Sequence, residues 1–214
     1  IRRQRQMCIR DRFWIILFKT ILSKLYHWKI YVVGSVEYQY PNHLFQAGYF
    51  LDKKYYDENT IDFKHLLLSE KNQSLLKDIQ NSNSVGVHIR RGDYMTKQNL
   101  VIFGNICTQK YYHDAIRIIT EKVNDAVFYV FSDDISWVQT HLDIPNAVYV
   151  NWNTGESSIY DMYLMSSCKY NIIANSTFSY WAARLNKKTN MVIYPSKWYN
   201  TFTPDIFPES WCGI

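Results

Sequence analysis

A chain of 214 residues, 47% hydrophobic and 20% charged, is long enough for one large domain or one and a half smaller ones, with the composition of an ordinary globular protein. Its net charge of +5 is concentrated in residues 1–12, "IRRQRQMCIRDR", which hold five arginines and one aspartate and leave 19 basic against 18 acidic residues elsewhere. A nearly neutral body excludes a broad nucleic-acid backbone footprint. The four cysteines, Cys8, Cys107, Cys168 and Cys212, show no metal-ligand spacing and read as reduced thiols in a cytoplasmic setting.

In chain order, residues 1–12 read as translated adaptor sequence and are set aside as an artefactual tail. Phe13–Leu22, "FWIILFKTIL", is apolar but interrupted by Lys19 and well short of the ~20 residues a bilayer span needs, so it is expected to be a core or surface helix. Residues 13–83 are irregular, with helical periodicity within Phe63–Gln80, and the polar "NSNS" at Asn81–Ser84 marks the best domain boundary. From there the pattern becomes regular. Strands are expected at "SVGVHIR", "AVFYVFSDD" (Ala126–Asp134), "AVYVNW", "YNIIAN" (Tyr170–Asn175) and "MVIYPSKW" (Met191–Trp198). Between them lie the helical segments "YYHDAIRIITEKV" (Tyr111–Val123), "ISWVQTHL", "SIYDMYLMSSC" and "TFSYWAARLN" (Thr177–Asn186). Continuous apolar strands alternating with amphipathic helices predict an α/β domain with a parallel sheet over residues 84–214.

In an open parallel sheet, ligands bind beyond the carboxyl ends of the strands. The first strand here ends in Arg90-Arg91-Gly92-Asp93, the second in Ser132-Asp133-Asp134, and the fourth in Asn175-Ser176-Thr177-Phe178-Ser179. Arginine suits bidentate contact with phosphate. A hydroxyl-rich helix start adds backbone N–H donors, although by itself it reads as an ordinary N-cap. Together they point to a phosphate or pyrophosphate ligand. Asp133-Asp134 has three readings: recognition of the guanine N1–H and amino group, a Mg²⁺ or Mn²⁺ site, or a cap on the next helix. The arginines already supply cationic charge, which ranks guanine above metal and leaves the cap compatible with either. A phospho-receiver domain is disfavoured because its acidic pocket would here hold two arginines, and no G-x-x-x-x-G-K-[ST] loop is present. The 18 Tyr, 11 Phe and 7 Trp are compatible with sugar-stacking platforms and equally with an aromatic core.

"GYFLDKKYYDEN" (Gly48–Asn59), "HIRRGDY" (His88–Tyr94), "YVFSDDISWV" (Tyr129–Val138), "DMYLMSSCKYNIIANSTFSYWAARLN" (Asp161–Asn186) and "DIFPESW" (Asp205–Trp211) occur in this order. The set resembles the bacterial α-1,2-fucosyltransferases of glycosyltransferase family 11. The resemblance implies a GT-B-like enzyme with a Rossmann-type donor domain at residues 84–214 and an incomplete acceptor-side domain at residues 13–83. It would move L-fucose from GDP-β-L-fucose to the 2-hydroxyl of a terminal β-galactose, with inversion and without metal or other cofactor. The acceptor would be a galactose-terminated oligosaccharide or lipid-linked glycan, and the enzyme cytoplasmic or peripheral at the inner membrane. The resemblance also implies that Arg91 contacts the donor pyrophosphate, that Asp133 or Asp134 reads guanine, and that Asn175–Ser179 hold phosphate oxygens.

Arg91, with Arg90 or His88, would stabilise charge growing on the departing β-phosphate. For His88 the alternative is packing under the loop. Asp93 is the nearest candidate general base, but the neighbouring arginines favour its charged form and weaken it in that role; Glu156 and Asp161 are alternatives. One departure stands out: these enzymes usually begin with a glycine-rich "GGLGNQ"-type turn, whereas this chain has 7 Gly, no two of them adjacent. That implies a truncated N-terminal domain, the alternative being a segment diverged beyond recognition. The rivals are a transferase using another GDP-sugar or acceptor, and a nucleotide-sugar-binding remnant without turnover.

Overall fold

The computed structural model describes residues 62–214, the segments 31–34 and 45–48, and the single positions 21 and 24. The chain divides into two compact units, Ile1–Tyr56 and Asp57–Ile214. In the first, strand β1 (Tyr31–Gly34) pairs in parallel with β2 (Phe45–Gly48). Apart from Ile21, the apolar segment Phe13–Leu22 lies outside the described residues, as do residues 1–12 and nearly all of Gly48–Asn59.

The second unit is a doubly wound α/β domain. In chain order it contains α1 (Glu70–Asn81), β3 (Asn83–Ile89), α2 (Lys97–Phe103), α3 (Gln109–Lys122), β4 (Ala126–Ser132), α4 (Ile135–His141), β5 (Ala147–Val150), α5 (Ser158–Ser166), β6 (Tyr170–Ile172), α6 (Thr177–Arg184), β7 (Met191–Tyr194) and β8 (Cys212–Gly213). All six strands are parallel, in the order β5-β4-β3-β6-β7-β8. Chain direction across the sheet therefore reverses between β3 and β6. That crevice is the topological switch point at which such sheets bind ligands.

Strand β3 is buried on both faces from Ser84 to Ile89, as a central parallel strand must be. Period-two alternation sorts its side chains. Val85, Val87 and Ile89 join Phe128 and Val130 of β4 in one core layer with Tyr111, Tyr112, Ala115, Ile116 and Ile119 of α3. On the opposite face, Tyr129 and Phe131 pack with Leu75 and Ile79 of α1, Leu164 and Met165 of α5, and Ala182 and Ala183 of α6. Each large side chain buried in these layers contributes about 1.5–3 kcal/mol. Gly86 makes the second layer possible, because a Cβ there would come within 2.9 Å of the Asn171 amide and 3.0 Å of Met165.

Hydroxyl and carboxylate caps start four of the helices. Ser69, Thr96, Thr108 and Asp134 accept from the backbone N–H of Asn72, Asn99, Tyr111 and Trp137 respectively. The five strands and four helices expected from residue 84 onward are present, with the last three of those strands ending at Val150, Ile172 and Tyr194, and α2 and β8 are additional elements. Of the helical stretch Phe63–Gln80, the part from Glu70 onward is helix, which ends at Asn81. The unit boundary follows Tyr56 rather than lying at Asn81–Ser84. The reason is packing: Leu75 and Ile79 complete the core of the sheet, so α1 belongs to the same body as β3. Among the described residues no helix is long and apolar enough to cross a membrane.

Candidate functional site

The register of β3 against β4 builds the site. His88 lies opposite Phe131 and Ile89 opposite Ser132, so the residues that follow, Arg90-Arg91 and Asp133-Asp134, leave the sheet side by side. The chain then turns into a short 3-10 segment, Gly92–Met95.

The two arginines are held differently. Arg90 is doubly paired, through Nη1 to Asp133 Oδ2 at 2.7 Å and through Nη2 to Asp93 Oδ1 at 2.6 Å, and its guanidinium lies 5.6 Å from the centre of the Tyr94 ring. Arg91 donates its backbone N–H to Asp133 Oδ1 at 2.9 Å and its Nε–H to Asp134 Oδ2 at 3.2 Å. Its guanidinium carbon stands 3.6 Å above the Trp137 ring. Among the described residues, none hydrogen-bonds to the Nη1 and Nη2 edge of Arg91. One arginine thus braces the turn, and the other presents a planar, fixed fork of N–H donors, the form suited to bidentate phosphate contact.

The acidic pair is occupied by protein groups. Asp133 accepts from Arg90 and from the Arg91 backbone; Asp134 accepts from Arg91 Nε and, at 3.1 Å, from the Trp137 N–H as the cap of α4. Each of the four carboxylate oxygens therefore has a donor within the chain. The capping reading of Asp134 is present in the structure. Gly92 is fixed by space alone: a Cβ at that position would overlap the Asp133 carboxylate.

His88 is 5% exposed and packs against Phe178 with ring centroids 5.0 Å apart. Burial, reinforced by the charge of Arg90, lowers its pKa to about 3, which keeps the imidazole neutral. Its Nδ1 is buried and has no hydrogen-bond partner. The "NSTFS" segment divides by role. Asn175 is 2% exposed and its amide donates to the carbonyls of Trp198 and Phe103, while its backbone carbonyl accepts from the Tyr94 hydroxyl at 2.9 Å. Ser179 is fully buried and bonds to Ala174 and Ser176. Both lock the β6–α6 turn. Ser176 and Thr177 open α6, and Ser176 makes no side-chain cap bond, which leaves the first turn's N–H groups without that acceptor.

The remaining candidate bases lie on the β5–α5 connection. Glu156 is exposed in a short 3-10 segment, Gly155–Ser157. Asp161 is 9% exposed and accepts from the Asn153 amide at 2.6 Å. Asn153 in turn exchanges hydrogen bonds with Asn72, whose Oδ1 also accepts from the Trp152 indole at 2.7 Å. Burial raises the Asp161 pKa to about 7, against the opposing pull of the Asn153 hydrogen bond. No hydrogen bond or ion pair joins Glu156 or Asp161 to the arginine cluster in the described contacts. Among the described residues no group of three His, Cys, Asp or Glu is arranged to hold a metal ion. Trp137, Tyr94 and Gly92 were not apparent as site residues from the sequence. The available signal was spacing, since Trp137 is the third residue after the capping Asp134, where a cap places its donor.

Residues 12–214 match Glycosyl transferase family 11. The chain belongs to that family. It is 35% identical over 85% of its length to an alpha-1,2-colitosyltransferase of Escherichia coli, covering 63% of that protein. It is 44% identical over 56% of its length to the O-antigen biosynthesis glycosyltransferase WbnK of Escherichia coli, covering 40% of it. To galactoside alpha-(1,2)-fucosyltransferase 2 of Pongo pygmaeus it is 28% identical over 70% of its length, covering 48% of that protein. The chain thus spans between 40% and 63% of these relatives. Among solved structures, the fucosyltransferase NodZ from Bradyrhizobium is similar with a TM-score of 0.44 and 14% identity, covering 72% of this chain and 53% of that one.

Proposed function

We propose that this chain carries the donor-binding part of an inverting α-1,2-glycosyltransferase that moves L-fucose from GDP-β-L-fucose to the 2-hydroxyl of a terminal β-galactoside, carried on an oligosaccharide or a lipid-linked glycan. The observation that carries the reading is Arg91, fixed on its Nε side and on one face with its Nη edge open at the end of β3, beside the β3/β6 switch point. Family membership and the α-1,2 transferase relatives give that cation a glycosyl donor to hold.

In this reading the Arg91 fork takes non-bridging oxygens of the diphosphate, and the first-turn N–H groups of α6 from Thr177 onward add donors from the other side of the crevice, the Ser176 N–H being held by the Ala174 carbonyl at 2.7 Å. Fucosyl transfer passes through an oxocarbenium-like state as the sugar–oxygen bond breaks, so negative charge grows on the β-phosphate. Donors already in place stabilise that charge without reorganising. His88, neutral, would offer a hydrogen bond rather than a charge. Asp93, with its side chain 56% exposed and one oxygen paired with Arg90, is the proposed base for the acceptor hydroxyl. No metal is assigned a role, and added EDTA should leave transfer unchanged.

The test is transfer from GDP-fucose to lactose by the full chain, with GDP release and product linkage measured, beside an acceptor whose galactose 2-hydroxyl is blocked. Product on lactose alone supports the reading. Equal rates with both acceptors would move the linkage elsewhere, and nucleotide binding without turnover would leave a binding domain only. A second donor is favoured by one relative's name: GDP-colitose in place of GDP-fucose, as the similarity to the colitosyltransferase suggests. Comparing kcat/KM for the two donors decides between them.

A further inference from the structure

Helix α4 is short, and both ends of its first turn are directed at one side chain. Its cap, Asp134, uses one carboxylate oxygen on the Trp137 N–H at 3.1 Å and the other on Arg91 Nε at 3.2 Å. Trp137, three residues on, lies face-on to the same guanidinium at 3.6 Å, well inside the ~6 Å range of a cation–π contact. The Arg91 backbone N–H is separately anchored on Asp133 at 2.9 Å. These contacts remove the freedom to rotate about the arginine's long stem and fix both the plane and the outward edge of the fork. Trp137 also stacks with His141 one turn later, centroids 4.6 Å apart and planes within 11°, so the indole is itself held in place.

We propose that Trp137 and Asp134 are positioning residues for the diphosphate subsite: they aim Arg91, and Asp134 does not read the nucleobase. The proposal rests on the donor reading above. Guanidinium orientation matters because a bidentate contact needs two N–H groups in the plane of two phosphate oxygens. An arginine already held in its binding geometry loses less conformational freedom when the phosphate arrives. The carboxylate of Asp134 has a protein donor on each oxygen, in contrast to a group waiting for the N1–H and amino group of a guanine.

The experiment is calorimetric titration of the full chain with GDP, UDP and inorganic pyrophosphate, on wild type, Trp137→Phe, Trp137→Leu and Asp134→Asn. Pyrophosphate isolates the subsite because it has no base. Trp137→Leu should weaken GDP and pyrophosphate by the same factor, roughly tenfold, while Trp137→Phe restores most of the affinity. The ratio of GDP to UDP affinity should be the same in all four proteins. If Asp134→Asn instead weakened GDP alone and left pyrophosphate untouched, Asp134 would be a base reader and the proposal would be wrong. A second readout needs no ligand. The Arg91 Nε–H resonance, assigned through Arg91→Lys, should be displaced by the indole ring current in wild type, and Trp137→Leu should abolish that displacement. Unchanged affinity and an unchanged resonance in Trp137→Leu would overturn the clamp. Wild type that binds neither GDP nor pyrophosphate would overturn the donor reading and the positioning role with it, whereas a displaced resonance in that case would still report the packing itself.

Discussion

Replacing Gly92 with alanine tests the geometry that sets up the site. The backbone at Gly92 lies outside the left-handed region, so the constraint is space: the new methyl would overlap the Asp133 carboxylate. That carboxylate cannot simply swing aside, because it holds the Arg91 backbone N–H at 2.9 Å and Arg90 Nη1 at 2.7 Å. A hydrogen bond to a charged acceptor contributes about 1.5–3 kcal/mol, and a pair as solvent-exposed as Arg90–Asp133 adds at most about 1 kcal/mol. The smaller unfolded-state entropy of alanine offsets roughly 0.4–1 kcal/mol. The net expectation is a loss of about 1–3 kcal/mol, or roughly 3–10 °C in Tm for a domain of this size. Thermal unfolding of Gly92→Ala, Asp133→Ala and the double variant measures it as a cycle. With Asp133 truncated the obstacle is gone, and Gly92→Ala should then cost almost nothing. An equal Tm loss in both backgrounds, or none in either, would show that the overlap is not what keeps glycine at this position.

Two further outcomes follow from buried ionisable groups, and a third from the core. Asp161 has its pKa raised to about 7, so the native state binds a proton that the unfolded state has released between pH 4 and 7, and this group's contribution falls as pH rises through that window. Asp161→Asn should therefore stabilise the protein increasingly from pH 4 to 7 and level off above; a urea-midpoint difference independent of pH would contradict this. His88, lowered to about 3, works in the opposite sense: its contribution is complete above pH 6.5 and is lost as pH falls toward 3. Its imidazole NMR signals should stay in the neutral position at pH 5, and titration near 6.5 would mean that the ring is hydrated. Ile119→Ala, at a position with no solvent exposure in the α3–sheet layer, should cost about 2–5 kcal/mol in urea unfolding, and under 1 kcal/mol would mean the layer repacks.

Much of this architecture was legible because parallel strands buried on both faces read as unbroken apolar runs. "AVFYVFS" and "SVGVHI" could be little else, and the side-by-side placement of Arg90-Arg91 with Asp133-Asp134 follows once the two strands are paired. Helix α2 and strand β8 were less visible. "KQNLVIF" leaves Val101 74% exposed and so lacks a clean amphipathic stripe, and Cys212–Gly213 is two residues added at the sheet edge. The polar run Asn81–Ser84 serves as a tight helix-to-strand connection inside the compact unit Asp57–Ile214. What reveals α1 as part of the sheet body is the destination of Leu75 and Ile79, which is a tertiary fact. The convergence of Arg90, Arg91, Asp93, Asp133 and Asp134 at two adjacent strand ends was legible, but how those side chains pair with one another was not. Nothing local distinguishes Arg90, tied on both amino groups, from Arg91, or shows that Asn175 and Ser179 serve the turn. The Asn72–Asn153–Asp161 chain joins positions about eighty residues apart and leaves no trace in any one motif.

The central claim is that Arg91 seats a guanosine diphosphate group. The most direct measurement is calorimetric titration of GDP, in EDTA, into wild type and Arg91→Ala, with unfolding curves showing that both are folded. The account predicts binding by wild type and a loss of at least about 1.5–3 kcal/mol of binding free energy in Arg91→Ala, the scale of charge-assisted hydrogen bonds. Equal GDP affinity in the two proteins would contradict it and place the nucleotide, if it binds, somewhere other than the end of β3.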